Sequence, residues 1–151
     1  MNMNIGDMVP LLAGTDESGR EVNLGDFRGK KLALYFYPKD STPGCTAEAC
    51  SLRDNYEALQ ARGYEVLGVS VDSERSHRNF ISKQSLPFHL IADTEKKWVE
   101  AFGVWGEKKM CGRTYMGIFR TTFIIDEEGR IERIFAPKEI DTKNHASQIL
   151  G

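Results

Sequence analysis

The stretch Thr42-Pro43-Gly44-Cys45 carries the residue types best placed to do chemistry in this chain. Thr42 suits the N-cap of a helix. Pro43 suits its first position, where a missing N–H costs nothing. Cys45 then falls at the third helical position, the slot that a capping box gives to Glu or Gln. The first turn of a helix has unpaired amides and the positive end of the helix dipole, so a thiolate there is stabilised over the thiol. Cysteines at helix N-termini or beside cations titrate at roughly 3.5–7.5 instead of about 8.5, and the thiolate is the nucleophile. Against this stands the bland reading of any single cysteine, a small buried hydrophobe.

An activated thiolate can attack many electrophiles, and for one of them, a hydroperoxide, the thiolate alone is not enough. The peroxide must be held in line, and its leaving oxygen stabilised as it becomes negative. Thr42 offers a hydroxyl three residues before Cys45, and Gly44 and Cys45 offer amides at the helix mouth. Pro38 can shield the thiol from water, and Glu48, one turn after Cys45, can hold a cation. The candidate cation is Arg120, in Phe119-Arg120-Thr121-Thr122-Phe123. Taken alone, Arg120 reads as a surface charge at a strand end and Glu48 as a solvated helix residue. The sharper reading needs the strand after Arg120 to lie beside the strand before Cys45, and it needs a partner for an Arg too costly to bury unpaired.

Those elements are legible. Asp16 to Arg20 is a turn between two short strands, an N-terminal hairpin. Lys31 to Tyr37 is a continuous apolar and aromatic run, the pattern of a strand buried on both faces. Thr42 to Gln60 reads as a helix, Tyr64 to Val71 as a strand and Ser73 to Ser85 as a helix. Phe88 to Ala92 is a short strand, and Thr94 to Phe102 is helical. Thr121 to Ile125 and Ile131 to Phe135 flank an Asp-Glu-Glu-Gly-Arg hairpin signal, and Asp141 caps a last helix reaching Leu150. Strands alternating with helices predict parallel βαβ units, and the closing hairpin makes the sheet mixed: an α/β fold with helices on both faces.

Length and charge agree. A chain of 151 residues is about the size of one domain. A net charge of −2 without a basic run argues against nucleic acid and anionic membranes as partners. No apolar stretch is long enough to span a bilayer, and Met1 to Pro10 lacks the basic and apolar regions of a secretory signal, so the expected location is the cytoplasm. Three cysteines, an odd number, read as thiols and not as a disulfide framework. No cysteine or histidine pair has metal-ligand spacing, and the isolated histidines, His77, His89 and His145, read as surface or satisfied polar residues.

The spacing Pro38-x-x-x-Thr42-x-x-Cys45, with Arg120 far downstream, resembles the active-site signature of the peroxiredoxins. The string from Phe36 to Cys50, Gly68-Val-Ser-Val-Asp72 and Arg120-Thr-Thr-Phe-Ile-Ile-Asp126 resemble the Q-type branch, also called bacterioferritin comigratory protein. The resemblance runs from about Gly6 to Phe135. It implies a thioredoxin-like fold with an N-terminal hairpin extension, and reduction of hydrogen peroxide and organic hydroperoxides without metal or organic cofactor. It further implies that Cys45 is the peroxidatic cysteine, that Thr42 and Arg120 activate it and bind peroxide, that Pro38 shields it and that Glu48 positions Arg120. Cys50 matches the resolving cysteine, thioredoxin is the implied reductant, and the implied state is a monomer.

The pairing of Cys45 with Cys50 has a geometric condition. Five residues along a helix rise about 7.5 Å, which puts the Cα atoms roughly 8–9 Å apart on different faces. A disulfide needs at most about 6.8 Å. The helix must therefore open before the two can join. Cys111 reads as a spare thiol, although resolution of Cys45 from that segment or a link between chains stays open. Two rival functions remain: a disulfide oxidoreductase, which normally carries Cys-x-x-Cys, and a thiol-based redox sensor or chaperone.

Overall fold

The computed structural model describes residues 3–151; Met1 and Asn2, which open the stretch read for a secretory signal, lie outside the described residues. The chain opens with the expected hairpin, β1 (Ala13–Thr15) and β2 (Glu21–Asn23). There follow β3 (Lys31–Phe36), α1 (Pro43–Asp54), α2 (Tyr56–Ala61), β4 (Tyr64–Ser70), α3 (Glu74–Gln84), β5 (His89–Ala92) and α4 (Lys97–Ala101). A second hairpin, β6 (Trp105–Met110) and β7 (Arg113–Ile118), precedes β8 (Thr121–Ile125), β9 (Ile131–Phe135) and α5 (His145–Leu150).

The central sheet runs β5-β4-β3-β8-β9. β3 pairs parallel with β4 and antiparallel with β8, so the sheet is mixed as expected. β3 lies at its centre, and its side chains alternate with the period of two that a pleated strand imposes. Leu32, Leu34 and Phe36 join one core with Trp98, Val99, Phe102 and Phe123. Ala33, Tyr35 and Tyr37 join the other with Cys45, Ala49, Leu52, Phe80 and Ile149. The steps β3 to β4 and β4 to β5 run the same way across the sheet. Right-handed crossovers then put α1 and α3 on one face, which leaves α4 to cover the other. Gly68, opposite Tyr35, keeps the second core tight: a Cβ there would meet the Tyr35 ring at 2.9 Å and Leu90 at 2.6 Å.

Four segments differ from the sequence reading. The helix expected over Thr94 to Phe102 is only α4, because Lys96 just before it is left-handed (φ 64°). The helix expected over Thr42 to Gln60 is broken at Asn55, whose side chain bonds the Ser51 carbonyl and ends α1. The helix expected from Asp141 is a 3-10 turn over Thr142–Asn144 followed by α5; Asp141 caps no backbone amide with its side chain and takes the Asn144 amide instead. The hairpin β6–β7 was not foreseen. It stands off the sheet and exposes residues on both faces, so it has no clean alternation. Its two turn residues, Cys111 and Gly112, both have positive φ (50° and 79°), the geometry of a type I′ turn. Cys is a poor signal for that turn, which favours Asn, Asp or Gly.

The loop from β3 to α1 is fastened from below. Tyr37 donates to Asp40 at 2.6 Å, Ser76 donates to Asp40 at 2.8 Å, and the Asp40 amide donates to Asp72 at 2.9 Å. His77, fully buried, faces the Asp40 carboxylate through Nδ1 (2.7 Å) and the Ile91 carbonyl through Nε2 (2.9 Å). Both neighbours are acceptors, so the ring donates on both sides and forms an ion pair with Asp40. Removing one member of a buried pair strands the other and costs about 3–5 kcal/mol. His77→Leu should therefore lower the free energy of urea unfolding by that order. A loss below about 1 kcal/mol, the scale of one ordinary hydrogen bond, would mean that no such pair exists.

Candidate active site

Cys45 is the third residue of α1, as the Pro43 start predicts. Thr42 occupies the N-cap position with extended backbone, but its hydroxyl does not cap the helix. It donates instead to the Lys39 carbonyl at 2.8 Å. Two consequences follow for the helix mouth. The Gly44 and Cys45 amides are not taken by a cap, and the Thr42 oxygen keeps lone pairs that can accept from a bound O–H. Ser41, just before, has φ of 63°, a left-handed conformation that costs a non-glycine residue about 1–3 kcal/mol and clusters at functional sites.

The antiparallel register of β8 on β3 pairs Phe36 with Thr121. It brings Arg120, one residue before β8, to the end of β3 from which the chain enters α1. Arg120 Nη2 donates to Cys45 Sγ at 3.3 Å, and its Nη1 bonds Glu48 Oε1 at 2.6 Å. Gly44 makes room, since a Cβ there would meet the guanidinium at 3.2 Å. Cys45 and Glu48 are buried, and Arg120 keeps only 18 % of its side chain exposed. The surface reading of Arg120 and the solvated reading of Glu48 are thus both set aside. Burial works against the charge on Arg120, but Glu48 and Cys45 outweigh it and hold the guanidinium above its ordinary range. Burial pushes the Glu48 carboxyl up to about 7, against the pull of Arg120. The short bond favours carboxylate and the dry site favours the acid, so Glu48 stands poised near neutrality.

Pro38 follows β3 and lines a cavity of about 370 Å³ together with Val71, Trp105, Lys108, Met116 and Ile118. The far wall belongs to the unforeseen hairpin. Lys108 reaches back from it to the Ile118 carbonyl at 2.8 Å; burial lowers its pKa, Arg120 adds to that and Cys45 opposes it. Cys50 is on the same unbroken helix as Cys45 but faces α3, where its Sγ approaches Gln84 Oε1 at 3.5 Å. All three thiols are unlinked, and Cys111 is exposed at the hairpin tip. His145, read as bland in the sequence, is fully buried, with Nε2 3.7 Å from Glu48 Oε2 and 2.8 Å from the Thr122 hydroxyl. Among the described residues the clusters able to hold a cation are Asp16, Glu17 and His89, and Asp40, Asp72 and His77; neither contains a cysteine.

Residues 5–134 match the AhpC/TSA family. Peroxiredoxin Bcp of Escherichia coli (strain K12) is 44 % identical over 149 residues, covering 99 % of this chain and 94 % of that one. The chain is a peroxiredoxin of the AhpC/TSA family. Two solved peroxiredoxins share its shape. The crystal structure of Xylella fastidiosa PrxQ superposes with a TM-score of 0.92 at 34 % identity, covering 99 % of this chain and 94 % of that one. The bacterioferritin comigratory protein of Xanthomonas campestris, studied for alkyl peroxide reduction, gives 0.86 at 34 % identity with 95 % of each chain covered. The Q-type branch and the thioredoxin-like fold are therefore those of this peroxiredoxin. Among its described residues no helix is long and apolar enough to cross a membrane.

Glu48 links this site to stability. Its folded pKa, about 7, is raised above the ordinary 4.5. Its contribution is therefore full below about 4.5 and is lost as pH rises through 7. The separation of about 2.5 units is worth on the order of 3 kcal/mol. Glu48→Gln, which cannot titrate, should flatten the fall in unfolding free energy between pH 5 and pH 8 by that order. Urea titrations of both proteins at the two pH values measure it, and parallel falls would show that Glu48 does not titrate there.

Proposed function

We propose that this peroxiredoxin is a thiol peroxidase in which Cys45 attacks hydrogen peroxide and organic hydroperoxides. The observation that carries the reading is the 3.3 Å bond from Arg120 to Cys45 Sγ at the uncapped mouth of α1. The Cys45 thiolate attacks the terminal peroxide oxygen; the S–O bond forms, the O–O bond breaks, and the leaving oxygen takes a proton to become water or an alcohol. Arg120 faces both the sulfur and the charge growing on the leaving oxygen, the Gly44 and Cys45 amides bind that oxygen, and Thr42 accepts from the peroxide O–H. Pro38 screens the thiol, and Glu48 keeps Arg120 aimed. The position that a Cys-x-x-Cys motif would fill holds Glu48, so nothing here favours a disulfide oxidoreductase.

Sulfur leaves this step as a sulfenic acid, which condenses with a thiol and releases water. Cys50 is that thiol in our reading. With α1 continuous from Pro43 to Asp54, the two cysteines stand about one and a half turns apart, too far for a disulfide, so α1 opens on every cycle. A small dithiol protein of the thioredoxin kind then returns both thiols. Cys45 and Cys50 belong to one helix, so no second copy is needed and the working unit is a monomer. Three unlinked thiols suit the cytoplasm.

Steady-state peroxide consumption with thioredoxin, thioredoxin reductase and NADPH tests these roles. Cys45→Ser should be inactive, Cys50→Ser should react once and fail to recycle, and Cys111→Ser should match wild type. Turnover by Cys50→Ser but not by Cys111→Ser would move the resolving role to Cys111. Arg120→Met should slow Cys45 oxidation about 10²–10³-fold, the usual loss for one donor to a developing charge.

A further inference from the structure

Beneath Arg120 lies a cluster of which the peroxide reaction uses only Glu48. Among the described residues, Glu48 Oε2 and the Tyr35 hydroxyl are buried without any hydrogen-bond partner. Buried polar atoms without partners are rare enough to need a reason. His145 Nε2 stands 3.7 Å from Glu48 Oε2, and both side chains are fully buried. The proton on His145 can be placed from its neighbours. Gln148 Nε2 donates to the Glu139 carbonyl at 2.7 Å, which fixes the amide, and Gln148 Oε1 accepts from the Asp141 amide at 3.0 Å. His145 Nδ1 meets the same Oε1 at 2.8 Å, so Nδ1 carries a hydrogen. In the neutral ring Nε2 is then the lone pair, accepting from the Thr122 hydroxyl at 2.8 Å.

The cluster is therefore one proton short. A proton on Glu48 Oε2 makes the orphaned oxygen neutral, and a proton on His145 Nε2, with Thr122 turned to accept, sets a cation 3.7 Å from the carboxylate. We infer that Glu48 and His145 share one titrating proton, and that His145 is a positioning residue which sets the charge on Glu48 and so the share of Arg120 left to Cys45. Burial raises Glu48 to about 7 and lowers His145 below its ordinary 6.5, so the carboxyl competes with the ring for the proton. Two groups coupled this closely titrate as a pair. The other groups facing the pair are Arg120 ahead of β8, Tyr35 on β3 and Cys45 on α1. Asp141 lies ahead of α5, and Arg133 on β9 reaches the Ile149 carbonyl near its other end. With the proton on Glu48 the carboxyl is neutral, and the full guanidinium charge faces the sulfur.

The inference rests on Cys45 as the attacking thiol only for its consequence, so two readouts keep them apart. Nitrogen-15 NMR of histidine-labelled, reduced full-length protein reports the His145 ring without peroxide. The rate of Cys45 oxidation by hydrogen peroxide across pH reports the consequence. In wild type the ring should show hydrogen on Nδ1 and respond to pH near neutrality, and in Glu48→Gln that response should vanish. The near-neutral inflection in rate should fall by about one unit in His145→Gln, whose amide N–H favours the carboxylate, and rise in Thr122→Val, which frees Nε2 for the proton. An Nε2–H tautomer, a ring indifferent to pH, or a rate inflection unmoved in both variants overturns the shared proton. Thr122→Val keeps the imidazole and carries the rate test if His145→Gln does not fold. A normal ring titration in a protein whose Cys45 ignores peroxide would instead sink the peroxidase reading.

Discussion

Arg120 brings a full positive charge to a place where little of its side chain meets water, and two groups share it: the Cys45 sulfur and the Glu48 carboxyl. The rest of the site depends on that division. Unpaired, the guanidinium would be too costly to bury, and with Glu48 alone it would be neutralised and of no use to the sulfur. The sheet makes the meeting possible. Because β8 runs antiparallel to β3, the end of one strand and the start of the other coincide, and the cation faces the helix that β3 launches. Gly44 then lets the guanidinium close to the helix mouth. A parallel neighbour at that edge would have sent Arg120 to the opposite end.

In the proposed cycle the helix carrying Cys45 meets two demands that pull against each other. Attack asks for a rigid mouth with fixed amides, whereas a link to Cys50 asks for the same turns to come apart. The structure meets the first through the loop below: the Asp40–His77 pair, Tyr37, Ser76 and Asp72 hold Pro38 to Thr42 without using the helix itself. It leaves room for the second in α1. The cap hydroxyl bonds elsewhere, Ser41 is held in a left-handed conformation, and Gly44 stands at the second position. These features cost helix stability and little else, so α1 can be the yielding element while the sheet and the Asp40 network stay in place.

α5 gives that helix its backing. The Ala146 amide donates to Ser51 Oγ at 3.1 Å, and Ala146 and Ile149 are buried in the core that holds Cys45 and Leu52. The groups that adjust the charge near the sulfur therefore come from opposite ends of the chain. Glu48 lies on α1, Arg120 at the head of β8 and His145 on the last helix, with Thr122 joining the strand to the helix.

Much of this was legible in the residues. Cys45 at the third helical position follows from Thr42-Pro43, because capping and proline chemistry are local. The alternation along β3 follows from its buried run. Arg120 and Glu48 could be named as candidates but not joined, since each alone is commonplace and only the β3–β8 register decides their distance. The second hairpin escaped because strands open to solvent carry no alternation and its turn uses Cys111 where Asn or Asp would have announced it. His145 escaped for a related reason. Its burial and its place beside Glu48 come from the packing of α5 on α1, and nothing in the local sequence encodes which helix a tail will meet. By itself the sequence determined where Cys45 falls on its helix and the alternating order of the elements, both of which short-range sterics and periodicity dictate. Only the tertiary structure decided which charges share the buried space around the sulfur, because that depends on contacts between segments 70 or more residues apart.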